Sequence, residues 1–266
     1  MPATIAAIAA IAAKLGSAAG RFDIDILPSC DSTNAALLSR AETGAGSGTV
    51  VIAEVQTAGR GRRGRSWFAS PGDSLTFSLL WRFAPGTAPA GLSLAVGVAV
   101  ARALARVPAG ASGAGEVALK WPNDILKDGR KLGGILVELV PGAPHAAVIG
   151  IGINIHLPAG MPAELRAASA ALCVPNQMPD QNEVYAALLA ELLATLDTFG
   201  SEGFPAIRAE WMARNAFQDV AVSLSNDFDS PRVGLCRGVD GDGALLLETD
   251  GKVERVLSGE LSLRPA

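Results

Sequence analysis

Apolar and polar residues alternate through "RFDIDIL", which predicts a strand over 22–27. The next stretch, "CDSTNAALLSRAE", takes helical spacing, with Asp31 or Ser32 as N-cap and an end near residue 42. A β-branched run, "GSGTVVIAEV", then enters an arginine-rich loop, and "SLTFSLLW" (74–81) reads as the strand that leaves it. From Pro89 to Val107 the chain is apolar nearly all round at helical period, so a buried helix is predicted. "EVALKW" is a further strand. In "NDILKDGRKLGGILVEL" the pair Asp128–Gly129 separates two apolar runs, a hairpin signal. "HAAVIGIGINI" (145–155) is a buried strand interrupted by Gly150 and Gly152.

Helices are predicted over 162–172, from Asp180 onward with Glu183 completing a capping-box pattern, and over 204–214. After about Asn215 the helical period stops. Residues 218–264 hold five short strand-like runs separated by "NDFDSP", "VDGDG" and "ETDGK", which reads as a separate small β-barrel. The expected organisation is an alanine-rich helical extension (1–21), a mixed α/β body (22–215) and a small all-β unit (216–266).

The N-terminal apolar run spans about a dozen residues, short of the ~20 that cross a bilayer. Lys14 and Arg21 follow that run, whereas a secretory signal places its positive charge ahead. Ile5, Ile8, Ile11 and Leu15 share a helical face, so a short helix packed on the body or on a partner is expected. Three widely spaced cysteines (Cys30, Cys173, Cys236) and two histidines (His145, His156) form no disulfide framework or zinc pattern. A reducing cytoplasm fits that cysteine usage, and no membrane association is expected. The 266-residue chain carries a net charge of −4, which argues against a general nucleic-acid binder.

Against that acidic background, "GRGRRGRSW" (59–67) concentrates four arginines and three glycines before a tryptophan. Glycine lets backbone approach a ligand closely, and arginine offers a planar, permanently charged fork for phosphate or carboxylate oxygens. The loop is therefore either a clamp for a small anion or an exposed basic loop that touches nucleic-acid backbone. It is neither GxxxxGK[ST] nor a strand-linked GxGxxG. In "KWPNDI" (120–125) Asn123 and Asp124 fall on a turn after Pro122, a position that also suits plain turn chemistry. Lys131 stands just before a Gly-Gly pair in "GRKLGGILVE". "IGIGINI" puts Gly150, Gly152 and Asn154 in an apolar strand, where glycine weakens the strand unless something lies against it.

In this order, Gly59–Trp67, Lys120–Ile125, Lys131–Glu138 and Gly150–Asn154, together with "DSTN", resemble the biotin protein ligases. The resemblance runs from about residue 23 to the end, where "VLSGELSLR" looks like the family's closing strand. It implies an α+β fold, a mixed β-sheet flanked by helices like the class II synthetase core, with a small C-terminal SH3-like β-barrel. It implies ATP-dependent activation of biotin to biotinyl-5′-AMP, with Mg2+, and transfer to a lysine of the biotin carboxyl carrier protein of acetyl-CoA carboxylase. Arg62 and Lys131 are then the catalytic residues.

Around biotin the resemblance implies Ser32, Thr33, Asn34, Gln56, Gly59, Arg60, Arg62, Lys131, Gly134, Gly150 and Gly152. Around ATP and the adenylate it implies Arg62, Arg63, Trp67, Asn123 and Asn154. Asp124 is expected either to bind metal or to accept the proton of the incoming lysine. Only about 22 residues precede the first catalytic strand, too few for the winged helix-turn-helix of some family members, so specific DNA binding is not expected. A homodimer through sheet edges is a further expectation. The rival readings are a lipoate–protein ligase, a biotinyl-adenylate sensor without transfer activity, and a nucleic-acid binder.

Overall fold

The computed structural model describes residues 2–107, 116–174, 177–225, 231–257 and 262–265. Seven strands form one mixed sheet: β1 (Asp23–Leu27), β2 (Thr49–Ala53), β3 (Ser74–Arg82), β4 (Val117–Lys120), β5 (Asp124–Lys127), β6 (Arg130–Val140) and β7 (Ala143–Asn154). Their order is β1-β2-β3-β7-β6-β5-β4, with β1 and β2 parallel and the other neighbours antiparallel. The predicted turn between β5 and β6 is present. Asp128 and Gly129 both take positive φ (51° and 72°), as a two-residue hairpin turn demands.

The period of two along the central strands decides where a ligand can lie. Odd positions (Leu75, Phe77, Leu79, Ile149, Ile151, Ile153) are all buried in the main core. Even positions on β3, β6 and β7 are mostly small or polar: Thr76, Ser78, Gly134, Glu138, Gly150, Gly152 and Asn154. Register aligns them into rows, with Ser78 opposite Gly150 and Gly150 opposite Leu136, then Thr76 opposite Gly152 and Gly152 opposite Gly134. One face of the sheet is thus an apolar floor for helices, and the other is a shallow polar trough.

Helices α1 (Pro2–Leu15), α3 (Leu92–Arg106), α5 (Gln181–Glu202) and α6 (Pro205–Ala213) gather on the apolar face. Fully burying one Leu or Phe there is worth about 1.5–3 kcal/mol. Helix α3 is buried on nearly every side, as its unbroken apolar pattern predicts. Helix α5 is the one helix among the described residues long and apolar enough to cross a membrane, and its apolar residues are spent in this core. Its N-cap is Asp180, whose carboxylate accepts from the Asn182 amide at 3.0 Å. Helix α1 packs on α5 with Ile11 and Leu15 buried, and Lys14 pairs with Asp180 at 3.1 Å. Ile5, expected on the same packed face, is exposed because it lies one turn beyond the body.

On the trough side, α2 (Thr33–Glu42) covers one end through Leu37 and Ala41 against Val51, Leu80 and Val148. The trough beyond its N-terminus stays open. The helix expected over 162–172 is shorter, α4 (Ala163–Ala167), because the next residues pair with β6 instead. The Lys131 amide donates to Ala168 O at 2.9 Å and the Ala170 amide to Lys131 O at 2.8 Å.

The C-terminal unit is a five-stranded antiparallel sheet, order β11-β10-β9-β8-β12. Its strands are β8 (Ala221–Ser225), β9 (Arg232–Val239), β10 (Leu245–Thr249), β11 (Lys252–Val256) and β12 (Ser262–Pro265). Among the described residues its end strands β11 and β12 do not pair, so the expected barrel is seen as an open sheet. It is pinned to the body by Trp121 Nε1 donating to Gly243 O (3.1 Å) and Arg208 Nε donating to Val239 O (2.7 Å).

Candidate active site

The trough opens into a cavity of about 960 Å³, at the upper end of the range typical for small-ligand sites. All the residues singled out in the sequence line it except Gly59, which is buried at the root of the arginine loop. Eight cationic side chains face the cavity against two carboxylates, Asp124 and Glu164, in a chain whose net charge is −4. The positive charge is local to this cleft.

The arginine loop is a tight hairpin. The Trp67 amide donates to Gly59 O at 2.8 Å and the Gly61 amide to Arg65 O at 2.7 Å. Between these closures lies a single 3-10 turn, Arg62–Gly64, in which Arg63 sits at φ 61°, a conformation that side chains rarely adopt. Arg62 reaches Asn123 Oδ1 at 3.4 Å. Burial pulls the Arg62 guanidinium below its ordinary pKa and Arg63 and Arg65 push the same way, while Asp124 opposes them. An added anion would relieve that repulsion.

Two glycines of the trough are there for protein side chains. A Cβ on Gly152 would lie 2.6 Å from the Trp67 ring, and one on Gly150 would lie 2.1 Å from Asn34 Oδ1. Trp67 therefore lies flat across β7, with Lys131 Nζ 5.9 Å from its ring centroid. Its indole N–H is buried with no acceptor among the described residues.

At the reacting-centre end, Asp124 lies 2.6 Å from Lys131 Nζ and 3.1 Å from Lys120 Nζ. Burial pushes the Asp124 carboxyl up, but the two ammonium groups outweigh it and hold the carboxyl below its usual range. Two ammonium groups are a poor setting for a protein-held cation. Among the described residues no three His, Cys, Asp or Glu side chains gather to hold a metal ion. The donor set does not fit a resident magnesium. Asn154, expected at the adenylate, directs its amide at backbone, donating to Lys131 O (3.4 Å) and Ala170 O (3.1 Å). It braces the strand that presents Lys131. Asn123 likewise donates to Ile135 O at 2.8 Å, which leaves its amide oxygen toward Arg62.

The opposite end is a network of neutral groups around the start of α2. Ser32 is the N-cap, yet its hydroxyl makes no capping bond; the Thr33 amide instead donates to Gln56 Oε1 at 2.8 Å. The fully buried Ser78 hydroxyl lies 2.6 Å from Asn34 Oδ1 and 2.8 Å from Thr33 Oγ1. An amide oxygen only accepts, so the single Ser78 proton goes to Asn34. The Thr33 proton is then spent on Ser78 or on Gln56 Oε1 at 3.3 Å, and Thr33 offers the cleft an acceptor. Gln56, with its oxygen used, offers a donor. Asn34 Nδ2 donates to Leu136 O (3.1 Å) and Glu138 Oε2 (2.8 Å). Ser78 and Glu138 escaped the sequence reading. Their signal was a polar residue at an even position of a strand whose odd positions are apolar.

A trough that recognises a neutral polar head at one end and gathers cations at the other defines an adenylating ligase of the biotin and lipoate type. Residues 26–154 match the model of the biotin/lipoate A/B protein ligase family, and 229–264 match the biotin protein ligase C-terminal domain. The chain is 41% identical over 246 residues to the bifunctional ligase/repressor BirA of Escherichia coli, covering 91% of this chain and 74% of that protein. It is 36% identical over 251 residues to the biotin–[acetyl-CoA-carboxylase] ligase of Mycobacterium tuberculosis, covering 93% and 91%. Biotin protein ligase from Aquifex aeolicus, solved with biotin and ATP, superposes with a TM-score of 0.78 at 28% identity, covering 92% of this chain and 99% of that one. The chain belongs to the biotin protein ligase family.

Proposed function

We propose that this chain activates biotin with ATP to biotinyl-5′-AMP and transfers the biotin to a lysine of the carrier protein of acetyl-CoA carboxylase. The observation that carries this reading is the two-ended cavity. A ureido ring has two N–H donors and one carbonyl acceptor, which complement the Thr33 hydroxyl oxygen and the Gln56 amide nitrogen. The cationic end suits the meeting of a carboxylate with an α-phosphate, two anions that repel each other in the absence of positive charge.

In the first step the biotin carboxylate oxygen attacks the α-phosphorus and pyrophosphate leaves. Arg62 and Lys131 lie where they can neutralise the charge that develops, and Asp124 keeps Lys131 at the centre. In the second step a carrier lysine attacks the mixed anhydride and AMP leaves. Positioning and electrostatics do the work, and no covalent enzyme intermediate is needed. Trp67 offers the adenine a stacking face, and its unmatched N–H a donor. Magnesium enters with the ATP phosphates as part of the substrate. We place the reaction in the cytoplasm, consistent with three free cysteines, and include a homodimer through sheet edges. Sedimentation of the full chain would decide the dimer.

A lipoate ligase is the nearest rival. A dithiolane ring would leave the Thr33 and Gln56 groups unmet in a buried floor, at a cost of about 1–3 kcal/mol per group. Pyrophosphate release from Mg·ATP, measured with biotin and separately with lipoate, tests the reading. Release with biotin alone supports it, and release with lipoate alone overturns it.

A further inference from the structure

The polar floor and the arginine loop meet at one atom. Glu138 Oε2 accepts from Asn34 Nδ2 at 2.8 Å and lies 3.5 Å from Arg60 Nη2, the first arginine of the loop. Glu138 is on β6, held in register by Val148 of β7, so its position comes from the rigid centre of the sheet. Asn34 is almost fully buried, and its oxygen is fixed by Ser78. Arg60 is half-exposed on a hairpin whose described closures are backbone bonds within 59–67. A single carboxylate therefore joins the best-ordered part of the cleft to the root of the loop that covers it.

We propose that Glu138 is a positioning residue: it completes the hydrogen bonding of Asn34 in the floor and anchors the arginine loop through Arg60. The ligand-dependent half of this inference rests on the biotin reading above, and the loop-anchoring half does not. Without Glu138, one Asn34 N–H in a buried setting loses its charged acceptor, and the floor loosens where the ureido ring would lie. Arg60 loses its partner at the same time, and the loop root opens to solvent.

Two variants separate the two bonds. Glu138→Ala removes both. Glu138→Gln keeps an oxygen that can accept from Asn34 but removes the charge that faces Arg60. The readouts are KM for biotin and for ATP, kcat for pyrophosphate release, and the rate of trypsin cleavage within 60–65 in the ligand-free protein, followed by mass spectrometry of the fragments. Thermal midpoints serve as the folding control.

For Glu138→Ala we expect a biotin KM raised about tenfold, the scale of one hydrogen bond to a charged group, with kcat and the ATP KM within about twofold. Cleavage in the loop should be several-fold faster. Glu138→Gln should recover most of the biotin KM while keeping the faster cleavage. Unchanged biotin KM and unchanged cleavage in Glu138→Ala would overturn the proposal. So would a uniform loss of kcat and both affinities that tracks a lowered thermal midpoint. If the parent protein releases no pyrophosphate with biotin, the functional reading fails, and the cleavage rates alone decide whether Glu138 anchors the loop.

Discussion

The floor of the cleft and the loop that covers it are built on opposite plans. In the floor, Ser78 and Asn34 are buried on rigid elements and their hydrogen bonds are matched in one direction only. In the loop, charge is crowded on a short hairpin closed by its own backbone, with Arg62 half-buried beside Arg63 and Arg65. Burial makes an unmet hydrogen bond costly, so the floor is suited to selecting a neutral head group. Charge is cheaper to keep near solvent until an anion arrives, so the loop is suited to neutralisation. Specificity and charge compensation occupy different parts of the site for that reason.

The sharpest way to break this division is at the charged end. Lys131→Ala or Arg62→Ala should slow pyrophosphate release by roughly 10²–10³, the scale of losing one preorganised charged donor, with the thermal midpoint little changed. Normal turnover in either variant would remove that residue from the mechanism. At the neutral end, Gly150→Ala puts a methyl group on the Asn34 amide. Overpacking of this kind costs about 1–3 kcal/mol, so the biotin KM should rise about tenfold while the ATP KM stays within about twofold. Equal changes in both would mean that the floor does not discriminate. Trp67→Ala should do the reverse, raising the ATP KM by the equivalent of one stacked base, ~1–3 kcal/mol, and sparing the biotin KM.

The smallest effect concerns pH. The Asp124 carboxyl is held below its unfolded value, so its stabilising contribution is fully present above roughly pH 4 and is lost as pH falls through the lower folded value. Asp124→Asn should flatten the acid side of the stability curve measured by thermal unfolding. An unchanged acid limb would show that Lys120 and Lys131 do not stabilise the carboxylate.

Much of the fold was legible because the central strands obey strict period two and the hairpin turn has the one dipeptide that suits it. The motifs of the charged end were legible as well, since arginines interleaved with glycine and a lysine before Gly-Gly are rare combinations. The floor was harder to read. Ser78 sits in a strand that looks uniformly buried, and its meaning comes only from register with Gly150 and Leu136. Glu138 closed a recognised motif without an assigned contact because its partners, Asn34 and Arg60, are 104 and 78 residues away. The sequence correctly suggested that something lies against Gly150 and Gly152, but local pattern could not say that Asn34 and Trp67 do so. Helix α4 fell short of its predicted end because residues 168–170 found a strand to pair with, a tertiary contact that overrides local propensity.

The most direct measurement is the intact mass of a purified biotin carrier domain after incubation with this protein, biotin and Mg·ATP. The account predicts a gain of one biotin on a single lysine, and no gain when ATP is withheld. Pyrophosphate release without any mass gain would contradict the transfer step, and neither product would contradict the assignment of the cleft to biotin and ATP.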